Sequence, residues 1–274
     1  MNMFKKLLTI IFLTPSLLIA YIDEPYHETA FIGPAHTFYG LSYYSYYHTK
    51  HFWDSQGKRL PSFNPFTRKS YRLDMEYTLS SSQSVFVKGG YTMVEERLNG
   101  NSRGIEDPEA SWQTLLYADT RSALSGKLTL IIPVGPKKSC VRFGQWGGEI
   151  KVLYSKIFDH WKIPFWIDMG LGYRLYGGFP SDQIRASLSI GWKGTARFWL
   201  ISSSQLYYGV GNGKKDANQN NICFHPNFRL LTSQVQAIYQ MFDCLAFNIG
   251  GYLHLWGENI GAGGGFYAGS WILF

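Results

Sequence analysis

The chain has 274 residues, of which 17% are aromatic and only 16% are charged, well below the roughly 25% charged residues of soluble proteins. The mean hydropathy of −0.14 excludes a continuously apolar surface and is the balance expected when only every second residue of a strand meets lipid. The net charge of +7 comes from scattered Lys and Arg residues, so nucleic acid is not an expected partner.

Residues 1–20 predict a cleaved secretory signal peptide. Lys5 and Lys6 precede an apolar stretch, and Ala20 is a plausible cleavage residue. The alternative is a short transmembrane anchor, but an anchor needs about 20 unbroken apolar residues. Beyond residue 20 no run of 18 apolar residues occurs, which excludes a helical membrane protein.

Residues 21–36 hold two prolines and show no clear alternation of apolar and polar residues. Two interpretations stay open for this N-terminal segment. It threads into the interior of the following domain as a plug, or it is a frayed periplasmic tail.

Apolar and polar residues alternate along most of the remaining chain, which is typical of strands with one apolar face. In residues 71–79, Arg72, Asp74 and Glu76 alternate with apolar side chains, and residues 124–132 and 183–192 repeat the pattern. The alternation predicts an all-β fold, a transmembrane antiparallel up-and-down β-barrel of about 12 strands, with 10 or 14 as alternatives. The predicted strands span 37–48, 69–79, 84–97, 109–118, 123–133, 147–158, 162–175, 182–192, 196–209, 228–241, 245–256 and 262–274.

The connections between these strands alternate in length. Short turns such as 80–83 and 119–122 follow longer polar connections such as 49–68 and 98–108. Outer-membrane barrels combine short periplasmic turns with long external loops, whereas soluble sandwiches and propellers have no reason to alternate their loops in this way. We therefore expect residues 37–274 to form one barrel in the cell outer membrane.

Aromatic residues are predicted near both ends of the strands, where Tyr and Trp favour the membrane–water boundaries. The alternative is the aromatic core of a soluble barrel. The predicted girdles comprise Tyr117, Phe158, Trp161, Trp192, Phe242 and Phe274 near the short turns, and Trp53, Tyr71, Tyr173, Tyr176, Tyr207, Tyr208 and Trp256 near the long loops.

The chain ends on Phe274, preceded on the same strand face by Ile272, Ala268 and Phe266. This resembles the terminal-strand signature of bacterial outer-membrane proteins, from which Ser270 departs. The resemblance implies that the barrel assembly machinery is a partner that reads this strand.

A wider resemblance is carried by residues between Tyr43 and Gly135, about a third of the chain. The carrying stretches are 52–54, 57–59, the strand through Glu76 and Tyr77, 104–107, and 124–135, which ends in Pro-Val-Gly. They resemble relatives of the long-chain fatty-acid channel, including the meta-pathway (phenol degradation) channels. In that family the stretch ending at Asp107 is usually Gly-Leu-Gly-Asp, and Glu106 replaces its second Gly. The resemblance implies a channel for small solutes, hydrophobic ones among them.

Charged residues fall on the polar strand faces, because a charge facing hydrocarbon at mid-depth costs ~2–4 kcal/mol. In one interpretation they form a salt-bridged filling; in the other the basic excess makes a constriction with mild anion preference. We favour a mostly filled lumen with a narrow or gated path. The candidates for the lumen are Arg72, Asp74, Glu76, Lys88, Glu109, Lys127, Glu149, Lys151, Asp168, Arg174, Arg185 and Arg197.

Of the three cysteines, Cys140 and Cys223 fall in predicted loops on the same side, and we predict a disulfide between them. The alternative is three inert small side chains. No His or Cys spacing suits a metal, and the glycine-rich loop 209–214 lacks the context of a phosphate-binding loop. His254 is predicted to face the lumen, and His225 with Asp216 is a weak candidate for a rim protease. We expect no enzyme activity, no metal and no cofactor.

The function that fits best is an outer-membrane channel or transporter for small solutes, hydrophobic or weakly anionic. The competing class is a structural or surface-exposed barrel without transport. Outer-membrane lipid is an expected partner, and basic loop residues such as 58–59 and 137–138 either contact glycolipid phosphates or are simply solvated. The sequence leaves the oligomeric state open.

Overall fold

A computed structural model of the protein describes residues 28–96, 100–134, 141–160, 164–214 and 225–274. The sheet in these ranges is closed, because the first strand pairs with both the second and the last. The strands are β1 (Phe38–Trp53), β2 (Arg59–Ser80), β3 (Gln83–Glu96), β4 (Gly100–Ile105), β5 (Glu109–Ala118), β6 (Ser122–Ile131), β7 (Gly147–Phe158), β8 (Phe165–Tyr176), β9 (Gln183–Lys193), β10 (Phe198–Gly209), β11 (Arg229–Phe242), β12 (Leu245–Glu258), β13 (Ile260–Gly261) and β14 (Gly264–Leu273).

Twelve of these strands form the barrel wall, and each is antiparallel to its neighbours in chain order. The short β4 and β13 only extend the ladders of β3 and β1 beyond the wall. At the other end, the backbone amides of Phe38 and Phe274 each donate to the other residue's carbonyl, at 2.8 and 2.9 Å. The prediction of an antiparallel up-and-down barrel with twelve strands is therefore confirmed.

The wall has an apolar outside and a polar inside, as alternation predicts. Ile150, Leu171 and Ile249 lie in mid-strand and are more than 60% exposed, whereas Asp74, Lys127 and Asp168 point inward and are buried. An exterior of this kind is covered by lipid, because contiguous apolar surface of this extent is unfavourable in water. No helix in the described ranges is long and apolar enough to span a membrane.

The first long connection, predicted over 49–68, is mostly strand. β1 and β2 continue as a hairpin as far as the pair Trp53 and Arg59, with a register shift near Thr49. The Asp54 carboxylate closes the turn by accepting the amides of Gln56 and Lys58, each at 2.9 Å, and Gly57 has the positive φ of 74° that favours glycine. The sequence does not predict this extension, because the register shift near Thr49 and the two prolines Pro61 and Pro65 interrupt the alternation of apolar and polar residues.

Four residues do not lie where the sequence predicts. Arg197 does not face the lumen: β10 begins at Phe198, and Arg197 lies exposed in the short turn before it. Trp53 is not a girdle residue, because it is buried against Phe228 and Leu230 under the long loops. Tyr176 and Tyr207 face the interior as well. Girdle residues that are exposed on the outside are Tyr71, Tyr117, Tyr173, Trp192, Tyr208, Phe242 and Phe274.

Candidate functional site

A cavity of about 380 Å³ occupies the long-loop half of the barrel. Nine of the twelve predicted lumen residues line this cavity, whereas Glu76 and Asp168 are buried outside it. The nine residues are Arg72, Asp74, Lys88, Glu109, Lys127, Glu149, Lys151, Arg174 and Arg185.

The N-terminal segment, residues 28–35, enters the barrel interior next to this cavity and belongs to no strand. Thr29 and Ala30 are buried, and the Ala30 amide donates to Ser155 Oγ at 2.7 Å. Gln113 Nε2 and Ser125 Oγ donate to the carbonyls of Thr29 and Ala30, at 3.0 and 2.5 Å. The segment is thus attached to the wall by side chains rather than by a sheet ladder.

Glu28, the first described residue of this segment, lies at the cavity surface. Its carboxylate forms ion pairs with Lys127 Nζ at 3.0 Å and with Lys151 Nζ at 2.5 Å. The two lysines are direct cross-strand partners on β6 and β7. Each lysine therefore binds a different oxygen of one carboxylate.

A second group of charges braces the wall beside these lysines. Glu149 pairs with Lys151 at 3.0 Å and also accepts from Arg174 Nε. Arg174 reaches Glu109 through two nitrogens, at 2.5 and 3.2 Å. Arg185 approaches Glu149 at 3.5 Å and stacks over the Tyr207 ring at 4.7 Å. Opposite charges are therefore paired along one side of the lumen, between β5 and β9.

Glu106 and Asp107, between β4 and β5, bind side chains and a loop at the long-loop end of the barrel, which we call the rim. Glu106 forms ion pairs with Arg68 at 2.6 Å and with Arg72 at 2.9 Å, and it accepts a hydrogen bond from the Thr92 hydroxyl at 2.6 Å. Burial alone would raise the pKa of Glu106, but the two guanidinium groups outweigh burial and lower the pKa to about 2.

Asp107, the neighbour of Glu106, holds a loop over the cavity. Its carboxylate accepts the amides of Gly144 at 2.7 Å and Val134 at 3.2 Å. Val141 and Phe143 of this loop line the cavity. The sequence marked the stretch 104–107 through a family resemblance, but no sequence signal tied Asp107 to a distant loop.

An aromatic wall faces the lysines. Tyr252 on β12 and Tyr267 on β14 lie five or six strands around the barrel from Lys127 on β6 and Lys151 on β7. Tyr47 stacks on Tyr252 with ring centroids 6.2 Å apart. His254 faces the lumen and approaches the Tyr47 hydroxyl at 3.2 Å. The cavity is charged on one side and aromatic on the other.

The short-turn half of the barrel is filled by a cluster of aromatic and aliphatic side chains on the same side as the tyrosines. Trp166, Trp199 and Trp271 are buried there with Ile201 and Ile238. The N-terminal segment fills the other side, where Phe31 packs against Leu153 and Ala123. These two groups of side chains occupy opposite sides of the lumen below the cavity.

Other predicted residues have the following positions. Phe266, Ala268, Ile272 and Phe274 are exposed on the outer face of β14 and the chain end, and their use by the assembly machinery stays a prediction. Cys140, Cys223, Trp161 and Asp216 lie outside the described residues, as does the predicted signal peptide. Cys244 is an exposed free thiol. No group of His, Cys, Asp or Glu in the described ranges is arranged to hold a metal.

A closed twelve-stranded barrel with an apolar exterior and a charged lumen defines an outer-membrane β-barrel. The chain is similar in structure to a COG4313 outer membrane channel from Pseudomonas putida F1, with a TM-score of 0.72 and 13% identity over 89% of this chain and 98% of that one. It is less similar to the KdgM porin (TM-score 0.51, 8% identity, 86% and 99% covered). The translocator domain of the autotransporter NalP from Neisseria meningitidis gives a TM-score of 0.52 at 9% identity, with 88% and 90% covered.

These structural similarities, all at low identity, establish the fold and not the solute. No family model matches the sequence, and no curated protein does. The relation to the fatty-acid-channel and meta-pathway group stays a prediction.

Proposed function

We propose that the protein is a gated channel that admits small solutes, hydrophobic or weakly anionic, across the outer membrane. The observation that carries this proposal is the N-terminal segment inside the lumen, directly beside a cavity of about 380 Å³. A cavity of that volume is in the range of small-molecule sites, about 300–1,000 Å³.

The way in which the segment is held supports a gate. Residues 28–35 contribute no strand to the barrel, so their departure breaks no ladder hydrogen bond and leaves the wall closed. Their attachments are ion pairs and side-chain hydrogen bonds, which water or a polar solute can replace. Withdrawal of the segment would remove the filling on one side of the short-turn half and extend the cavity toward the periplasm.

The competing function is a structural or surface-exposed barrel without transport, in which the lumen charges only brace the wall. Liposome swelling distinguishes the two functions. The folded protein in liposomes should admit small sugars, organic acids and aromatic acids faster than protein-free liposomes do. Swelling rates equal to those of protein-free liposomes for every solute would contradict the channel and favour the structural barrel.

Assembly in the outer membrane is a separate part of the proposal. The apolar face that Phe266, Ile272 and Phe274 present supports recognition of the last strand by the assembly machinery. Phe274→Ala should lower the amount of heat-modifiable barrel in outer-membrane fractions. A matched change at an exposed residue of another strand, Phe247→Ala, should not.

A further inference from the structure

We propose that Lys127 and Lys151 form a binding site for the carboxylate of an aromatic solute, and that Glu28 occupies this site when the barrel is closed. The inference rests on the proposed function, because it names the solute class that the gated channel takes. It assigns to Glu28 the role of an internal competitor rather than that of a structural brace.

The first argument is the placement of the two lysines. Lys127 and Lys151 are directly opposite each other on adjacent strands, and both are at least nine-tenths buried. Like charges at directly opposed positions of a sheet repel each other, and burial strengthens the repulsion. The pair therefore needs an anion between the two ammonium groups, and the Glu28 carboxylate lies there.

The second argument is the origin of that anion. Glu28 belongs to a segment outside the sheet. The other acid near the pair, Glu149, also binds Lys151 at 3.0 Å, but it is fixed on β7 and shared with Arg174 and Arg185. Eight Lys and Arg side chains line the cavity against six Asp and Glu side chains. When Glu28 leaves, the positive excess rises from two to three, and an external anion is attracted to the vacated position.

The third argument concerns the body of the solute. Tyr252 and Tyr267 lie on the strands opposite the lysines, with ring centroids 6.4 Å apart. Tyrosine rings offer flat apolar faces that pack against other aromatic rings. A solute with a carboxylate at one end and an aromatic ring at the other can bind the lysines and pack on the tyrosines together. An aliphatic sugar has neither group.

Equilibrium dialysis of radiolabelled benzoate against the folded full chain in detergent tests the inference, with benzamide as the uncharged match and acetate as the anion without a ring. Glu28→Gln removes the internal competitor. A triple variant, Glu28→Gln with Lys127→Gln and Lys151→Gln, removes the carboxylate and both ammonium groups together. Lys156→Gln, on the exposed face of β7, is the control for a lost positive charge.

Glu28→Gln should bind benzoate about tenfold more tightly than the unaltered protein, and the triple variant should lose that gain. Benzamide and acetate should each bind Glu28→Gln at least about tenfold more weakly than benzoate, the ratio that ~1.4 kcal/mol of preference gives. Lys156→Gln should bind as the unaltered protein does. Heat-modifiable migration on gels verifies that each variant is folded.

Equal benzoate affinity of Glu28→Gln and the triple variant would overturn the lysine site, and equal affinity for acetate would overturn the aromatic part. Either result leaves swelling and conductance untouched, so it is distinct from failure of the channel. If the barrel binds benzoate as predicted but admits no solute, the proposed function falls and the site stands.

Discussion

Arg174 on β8 reaches across two strands, β7 and β6, to Glu109 on β5, with two hydrogen bonds of 2.5 and 3.2 Å. The same guanidinium binds Glu149 on β7. One side chain therefore ties three strands of the charged wall together without help from the N-terminal segment. The wall can stay rigid while the segment moves, which a gate inside a barrel requires.

Removal of this brace should destabilise the barrel. Arg174→Met leaves Glu109 and Glu149 without their shared cation, and breaking a buried pair from one side costs about 3–5 kcal/mol. Urea unfolding in lipid vesicles, followed by tryptophan fluorescence, measures the free energy of unfolding. Arg121→Met is the matched control, because Arg121 and Asp159 form an exposed pair that should contribute less than about 1 kcal/mol. Equal losses for the two variants would contradict the brace.

Weakening the attachment of the segment should open the channel more often. Glu28→Gln removes the negative charge that both lysines bind. The loss of even one charged hydrogen bond, roughly 1.5 kcal/mol, raises the ratio of open to closed states about tenfold. Planar-bilayer recording measures the open probability. Glu95→Gln, an outward-facing residue paired with Lys69, should leave the open probability unchanged. An unaltered open probability in Glu28→Gln would show that these ion pairs do not hold the segment.

The rim should show a defined pH dependence through Glu106. Its pKa falls from the usual 4.5 to about 2 in the folded barrel, so its ion pairs stabilise the fold at any pH above 4.5 and this contribution is lost as the pH drops toward 2. The unfolding free energy of the unaltered protein should exceed that of Glu106→Gln by about 2–3 kcal/mol between pH 7 and 5. The difference should shrink below about pH 4.5. A difference that disappears between pH 6 and 5 would be inconsistent with the lowered pKa.

The exterior should behave as a lipid-facing surface. Ile249 lies in mid-strand on β12 and is 63% exposed, so Ile249→Arg should cost ~2–4 kcal/mol in a bilayer. Phe242 lies beside a short turn, so Phe242→Arg should cost less than about 1 kcal/mol. Folding titrations in phospholipid vesicles measure both values. Equal costs at the two depths would mean that no hydrocarbon layer surrounds the barrel.

The sequence predicted the wall well because alternation is a local signal. Residues 71–79 show which side chains face lipid without any knowledge of their neighbours, and the structure agrees with that assignment. The prediction for Arg197 was wrong because alternation alone does not show where a strand begins. Arg197 is two residues from the inward-facing Trp199, as a lumen residue of the same strand would be, but it lies in the turn before β10.

The site required the structure because its contacts join distant parts of the chain. Glu28 and Lys151 are 123 residues apart, and no pattern within either segment connects them. The sequence left residues 21–36 divided between a plug and a tail, since two prolines and an absence of alternation fit both. The candidate charges were predictable one by one, but the position of Glu28 between two lysines was not.

Single-channel recording of a cross-linked barrel tests the central claim, that the N-terminal segment gates the lumen. Thr29 Oγ1 and Ser155 Oγ lie 3.0 Å apart, so Thr29→Cys with Ser155→Cys should form a disulfide once Cys140, Cys223 and Cys244 are replaced by Ser. The oxidised barrel should stay closed, and a reducing agent should restore the conductance of the cysteine-free parent. Equal conductance before and after reduction, with the disulfide verified by mass spectrometry, would contradict the claim.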